Sequence, residues 1–195
     1  MPKHEDVTLT KWLDLGEQLT ALSPMSISID HSGQLYVLAT TPSRNPHGVP
    51  CRFGDGGIRK IRTDEPQDVA VLRFDGRQLM RFDMPEQDWR YHYVQPLPDG
   101  EILLVCRRSD HRALDDYDLN GRVFAEDGTL RREFLLGDGI ADVQTTSDGR
   151  IWASYFDEGV FGNSGWDWSD DGSAWVTPVG RSGLVLWSRF GERLY

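Results

Sequence analysis

The chain has 195 residues, 38% of them hydrophobic and seven of them Trp, which is enough apolar material for a packed core. Its 21 Lys and Arg stand against 31 Asp and Glu, a formal net charge of −10, so a nucleic-acid backbone or an anionic membrane would be repelled rather than bound. No run approaches the ~18 apolar residues of a membrane-crossing helix, and the opening MPKHEDVTLT lacks the basic and apolar stretches of a secretory leader; a cytoplasmic protein without nucleic-acid or membrane partners is expected.

In chain order, the first readable element is 7–22. Its KWLDLGEQL shares Trp, Gly, Glu and Leu in register with LWSRFGERL at 186–194, which reads as a lone hairpin. Because Val7, Leu9, Trp12, Leu13 and Leu19 alternate only in part, a helical reading competes.

Three copies of one unit then follow: SISIDHSGQLYVLAT from Ser26, YVQPLPDGEILLVC from Tyr93 and DVQTTSDGRIWASY from Asp142. Each is a β-prone run, a turn ending in Gly and a second β-prone run, and each is followed by a second Gly-turn hairpin, around Gly76, Gly128 and Gly191. Two hairpins in series make a four-stranded antiparallel sheet, and recurrence at this period marks a repeat fold. The expected fold is therefore all-β: a β-propeller of four-stranded antiparallel blades, with a half-blade at 7–22 and blades at 23–85, 86–139 and 140–195. Closed propellers hold about four to eight blades, so three and a half predict a partial propeller, completed either by strands beyond Tyr195 or by a second copy in a homodimeric ring.

The unit spacings locate the loops. From first to second turn Gly the distance is 43 residues in blade one (Gly33 to Gly76), 28 in blade two (Gly100 to Gly128) and 42 in blade three (Gly149 to Gly191). In a propeller these extra residues lie on the face opposite the short Gly turns, and insertions on one face mark a binding face.

Three loops on that face hold the residues able to do chemistry. The first, 41–67, sets GDGG among Arg44, His47, Arg52, Arg59 and Lys60, an anion cradle or, more simply, a solvated loop. It also carries Cys51, whose partner in a disulfide would be Cys106; two free thiols is the simpler reading. The second, CRRSDHRALDDYD from Cys106, reads as salt-bridged surface, with His111 as its one group titrating near neutrality.

The third loop, 157–182, combines Asp157, Glu158 and further acids with Trp166, Trp168 and Trp175. Carboxylates in such a loop suit a divalent cation such as calcium. The run from Asp167 begins like a calcium loop but has Pro178 where the bidentate Glu belongs, and SDDGSAW from Ser169 is one residue short of a sialidase Asp-box. Indole faces beside carboxylates equally suit a glycan, and packing of the loop onto its blade is the third reading. At the inner strands His92, Gln95 and Gln144 are candidates for a central ligand, the two glutamines either lining the channel or bridging neighbouring strands.

The motifs VQPLPDG (94–100), GDGI (137–140) and W-x-x-YFDEGVFGN (152–163) resemble those of uncharacterised bacterial propeller-like proteins over residues 20–195. More distantly, the DG-turn blades are similar to NHL-type and gluconolactonase-like (SMP-30) propellers. The lactonase-like resemblance implies a central divalent metal held at inner-strand ends, for which Asp142 and Asp157, with Glu158, are the nearest residues. Two functions remain: a noncatalytic module binding a protein, peptide or glycan on the insertion face through Trp166, Trp168 and Trp175, or a metal-dependent hydrolase of small esters or lactones in which Asp142, Asp157 and Glu158 hold the ion.

Overall fold

The computed structural model describes residues 13–42, 61–166 and 176–195. The chain is all-β, built of antiparallel sheets. The first sheet is a sequential four-strand meander of β1 (Ser23–Ile29), β2 (Leu35–Thr40), β3 (Arg62–Phe74) and β4 (Leu79–Trp89). The second has β5 (Tyr93–Pro96) and β6 (Ile102–Val105), then a separate small hairpin of β7 (His111–Ala113) and β8 (Asp116–Tyr117), and then β9 (Gly121–Phe124) and β10 (Leu130–Phe134), in the order β5-β6-β9-β10. The third contains β11 (Ile140–Thr145), β12 (Ile151–Tyr155) and β13 (Leu184–Trp187), with the short helix α1 (Asp157–Phe161) after β12.

All six turn glycines read from the repeat, at 33, 76, 100, 128, 149 and 191, have φ between +76° and +92°, the left-handed region that a side chain penalises. Two expectations are corrected. The first sheet runs four residues past 85, to Trp89, where Trp89 pairs with Arg62 beyond a bulge. The described part of the expected half-blade contains no strand: Leu19 N–H donates to Leu15 O at 3.0 Å and Leu22 N–H to Leu19 O at 2.9 Å, turns of the competing helical reading. Residues 7–12 lie outside the described residues. In the third sheet the fourth run forms only a single bridge, Trp187 with Arg193, supported by Leu194 N–H to Leu186 O at 2.8 Å.

The core explains why ILLVC in the second unit is continuously apolar. Ile102, Leu104 and Cys106 face a cluster shared with Tyr36, Leu38, Val71 and Phe82 of the first sheet. Leu103 and Val105 point the opposite way, into a cluster with Ile140, Val143, Ile151, Ala153 and Val185 of the third. With side chains alternating across a strand, a sheet covered on both faces needs apolar residues at every position.

The first strands of the three sheets stand side by side. Ser28 Oγ donates to Val94 O at 2.7 Å, linking β1 to β5. Tyr93 Oη donates to Ala141 O at 2.7 Å and Thr145 Oγ1 to Pro96 O at 2.7 Å, linking β5 to β11. The β1–β2, β5–β6 and β11–β12 turns consequently gather around one cleft of about 340 Å³. This is the turn end; the long connections leave the opposite ends of these strands. Among the described residues no helix is long and apolar enough to cross a membrane.

Candidate functional site

The loop end is assembled from the 106–120 connection, the 137–139 turn and the 156–166 segment. Asp138 stands at its centre, 3% exposed. Its Oδ1 accepts from Ser109 N–H at 2.9 Å, and its Oδ2 lies 2.9 Å from Arg108 Nη2. The same guanidinium pairs with Glu158 on α1. A buried cation held between two carboxylates is compensated in charge, and separating it from either would leave a costly buried ion.

Other bonds join the same loops. Trp166 Nε1 donates to Ser109 O at 2.8 Å, and His111 N–H to Ser164 O at 2.8 Å. The Trp166 ring packs 4.8 Å from His111, which stacks with Tyr117 at 6.3 Å. Asn120, fully buried, donates to both Cys106 O and Gly137 O at 2.8 Å and accepts from Leu136 N–H at 2.9 Å. The backbone itself is in contact: a Cβ on Gly139 would fall 2.3 Å from Gly159 N, and one on Gly159 would fall 2.5 Å from Asp138 O. Two motifs singled out in the sequence, GDGI and DEGVFGN, therefore meet glycine to glycine.

Beside this junction two guanidiniums approach the Phe156 ring, with Arg107 Cζ at 5.1 Å and Arg108 Cζ at 5.5 Å from its centre. Arg107 is fixed through its backbone, donating to His92 Nδ1 at 3.3 Å and accepting from Ile140 N–H at 3.0 Å. Burial, and then the positive charge of Arg107, push the His92 imidazole down to about 4, so at neutral pH it is uncharged. Burial likewise pushes the Cys106 thiol up to about 12; it is unbridged and held as the inert thiol. Cys51 lies outside the described residues.

The residues marked in the sequence are dispersed. Trp166 is 4% exposed and spends its N–H internally, so it supports the loops from beneath; Trp168 and Trp175 lie outside the described residues. Gln95 is buried, its Oε1 accepting from Thr145 N–H at 3.3 Å and Oγ1 at 3.2 Å, which is the strand-bridging alternative. Gln144 is exposed on β11, and the two glutamines do not form a pair.

Of the three carboxylates proposed for a metal, Asp142 accepts from Val143 N–H and Asp157 from Glu158 N–H, each at 2.9 Å, while Glu158 is paired with Arg108. Among the described residues no three His, Cys, Asp or Glu side chains converge to hold an ion. The proposed metal set therefore does not fit the arrangement, and no step is derived through it.

Asp138, Asn120, Arg107 and Arg108 were not among the marked residues. Asp138 had a signal, as the polar residue of GDGI; the two arginines lay within a loop read as salt-bridged surface, which holds for Arg112 with Asp116 and Asp118. No family model, curated protein sequence or solved structure matches this chain.

Proposed function

We propose that the chain is a noncatalytic β-propeller module whose loop end receives a segment of a partner protein. The propeller reading is supported by sheets of sequential antiparallel strands, by their first strands lying side by side, and by the gathering of their short turns at one end. The observation that carries the binding reading is the cross-linking of the loop end. Its connections are tied by a buried ion cluster, a buried indole and a glycine-to-glycine contact. Loops held this firmly lose little freedom when a partner docks, which is where rigid recognition surfaces gain affinity.

These tied loops hold two large apolar side chains in solvent. Leu114, at the tip of the β7–β8 hairpin, is 84% exposed, and Phe161, at the end of α1, is 75% exposed. Side chains of this kind suit apolar residues of a peptide. Peptide and glycan arrays test the reading with three proteins: wild type, the loop-end variant Leu114→Asp/Phe161→Asp, and the turn-end variant His31→Glu/Arg77→Glu. Peptide binding that survives the turn-end changes and is lost with the loop-end changes is expected. The opposite pattern, or a glycan ligand indifferent to both, overturns it.

A further inference from the structure

The cleft at the turn end is walled by residues of all three sheets, and the register of the first sheet builds its near wall. Tyr36 on β2 is paired with Ser28 on β1 and with Arg73 on β3. These three side chains therefore share one face, the face from which Ser28 reaches Val94 O of the second sheet. Asp30 N–H donates to Gln34 O at 3.0 Å and extends the β1–β2 ladder by one residue, so the Asp30 side chain, two positions from Ser28, lies on that face as well. Asp30, Tyr36 and Arg73 all line the cleft, and the run Pro96–Pro98 of the second sheet lines it with them.

Two charges in this cleft are incompletely matched. Asp30 Oδ1 accepts from Ser32 N–H, Ser32 Oγ and Gln34 N–H at 2.8, 2.7 and 2.9 Å, but among the described residues no Arg or Lys pairs with its carboxylate. The other acid of the cleft, Glu101, is held by Arg132 at 2.6 and 2.7 Å and by Arg189 at 3.1 Å. The Arg73 guanidinium has a 3.7 Å contact with Glu126, whose side chain is 55% exposed, and donates to the Met80 thioether at 3.2 Å; its Nε has no partner among the described residues. An exposed ion pair contributes little, and a thioether is a weak acceptor. Asp30 and Arg73 stand on the two sides of β2, two strand spacings of about 4.8 Å each apart, a gap that the long arginine side chain narrows.

We infer that the cleft is a site for a free α-amino acid, with Asp30 receiving the ammonium, Arg73 the carboxylate and Pro96–Pro98 an apolar side chain. Such a ligand carries both charges on one carbon, and a guanidinium offers a carboxylate two parallel donors. The cleft volume of about 340 Å³ stands at the lower end for small-molecule sites, which suits a single amino acid. A dianionic phosphate would meet the Asp30 carboxylate, and a simple amine would leave Arg73 without its counter-charge. The site is at the opposite end of the strands from the loop end and does not depend on the peptide reading.

The test is an NMR titration of the isotope-labelled whole chain with L-alanine, L-valine, L-leucine and L-phenylalanine. Each is compared with the acid that lacks its amino group and the amine that lacks its carboxylate, isocaproate and isoamylamine in the case of leucine. At least one amino acid is expected to move the signals of Ser32, Gln34, Tyr36 and Arg73, and to bind about tenfold or more tightly than either of its analogues. Asp30→Asn, which keeps the turn acceptor but not the charge, and Arg73→Gln are each expected to weaken binding about tenfold or more; Arg131→Gln, an exposed control on β10, is expected to leave it unchanged. The analogue comparison needs no variant, so it decides the matter even if a substitution disturbs the fold. Binding by none of the four amino acids, equal binding of the acid or the amine, full affinity in Asp30→Asn or Arg73→Gln, or shifts confined to the loop end would each overturn the site.

Discussion

At the turn end, Asp30 Oδ1 accepts from the N–H groups of Ser32 and Gln34 at 2.8 and 2.9 Å, and Asp75 Oδ1 does the same for Arg77 and Gln78 at 2.9 and 2.8 Å. At the loop end, Asp138 Oδ1 accepts from Ser109, 29 positions away, and Trp166 donates to Ser109 across 57. The first pattern is local turn chemistry that an Asp side chain performs wherever it precedes a Gly turn. The second exists only once the sheets are stacked. Substitutions in the β1–β2 and β3–β4 turns should therefore act locally and mildly, while those in the Asp138, Ser109 and Trp166 ties should propagate.

The largest expected contrast is between two glycines. Gly159 lies inside α1, where alanine ordinarily improves a helix by roughly 1 kcal/mol. Here its Cβ would meet the Asp138 carbonyl at 2.5 Å and Gly139 O at 2.9 Å, so Gly159→Ala should reverse that sign and cost on the order of 2–3 kcal/mol as α1 is pushed away. Gly33, with φ +83° and open space around it, should lose only about 1 kcal/mol as alanine, from backbone strain alone. Thermal unfolding of the two variants checks this; equal losses would erase the distinction between the ends.

Next comes the ion cluster. Asp138→Asn keeps an acceptor for Ser109 but removes the charge that balances Arg108, whose side chain is 11% exposed. A loss of about 2 kcal/mol is expected, with increased amide exchange concentrated at 107–111 and 156–166. Arg81→Ala, which breaks an ion pair whose partners are 48% and 60% exposed, should change stability by less than about 0.5 kcal/mol.

The same contrast explains what the sequence revealed. The turn glycines, the strand pairs and the both-sides-apolar β6 were legible because each rests on a short-range rule: a residue that tolerates positive φ, alternation across a strand, a continuous apolar run. The described part of segment 7–22, residues 13–22, was misread because its likeness to 186–194 lies in residue types, whereas Leu15 to Leu19 and Leu19 to Leu22 close turns. The loop end was opaque for another reason. Nothing local distinguishes Trp166, buried as a strut, from a Trp left in solvent for a ligand, or Arg107, with no acidic partner among the described residues, from Arg108, held by two carboxylates.

His92 gives the contrast a pH dependence and the smallest of the expected effects near neutrality. Its folded value, about 4, lies below the ordinary 6.5 because burial and Arg107 disfavour the cation. Between these two values the unfolded chain binds the proton and the folded chain does not, so the group's contribution is fully present above pH 6.5 and is lost as pH falls toward 4. The loss amounts to about 2–3 kcal/mol by pH 4 and to a few tenths or less near pH 7. His92→Gln, which keeps an acceptor for Arg107 N–H but cannot take up the proton, should flatten the decline in melting temperature between pH 6.5 and 4. If acidification instead weakens both proteins equally, the loss belongs to other groups. A flattened profile would mean that the imidazole binding the Arg107 backbone is the point at which acid first loosens the loop end.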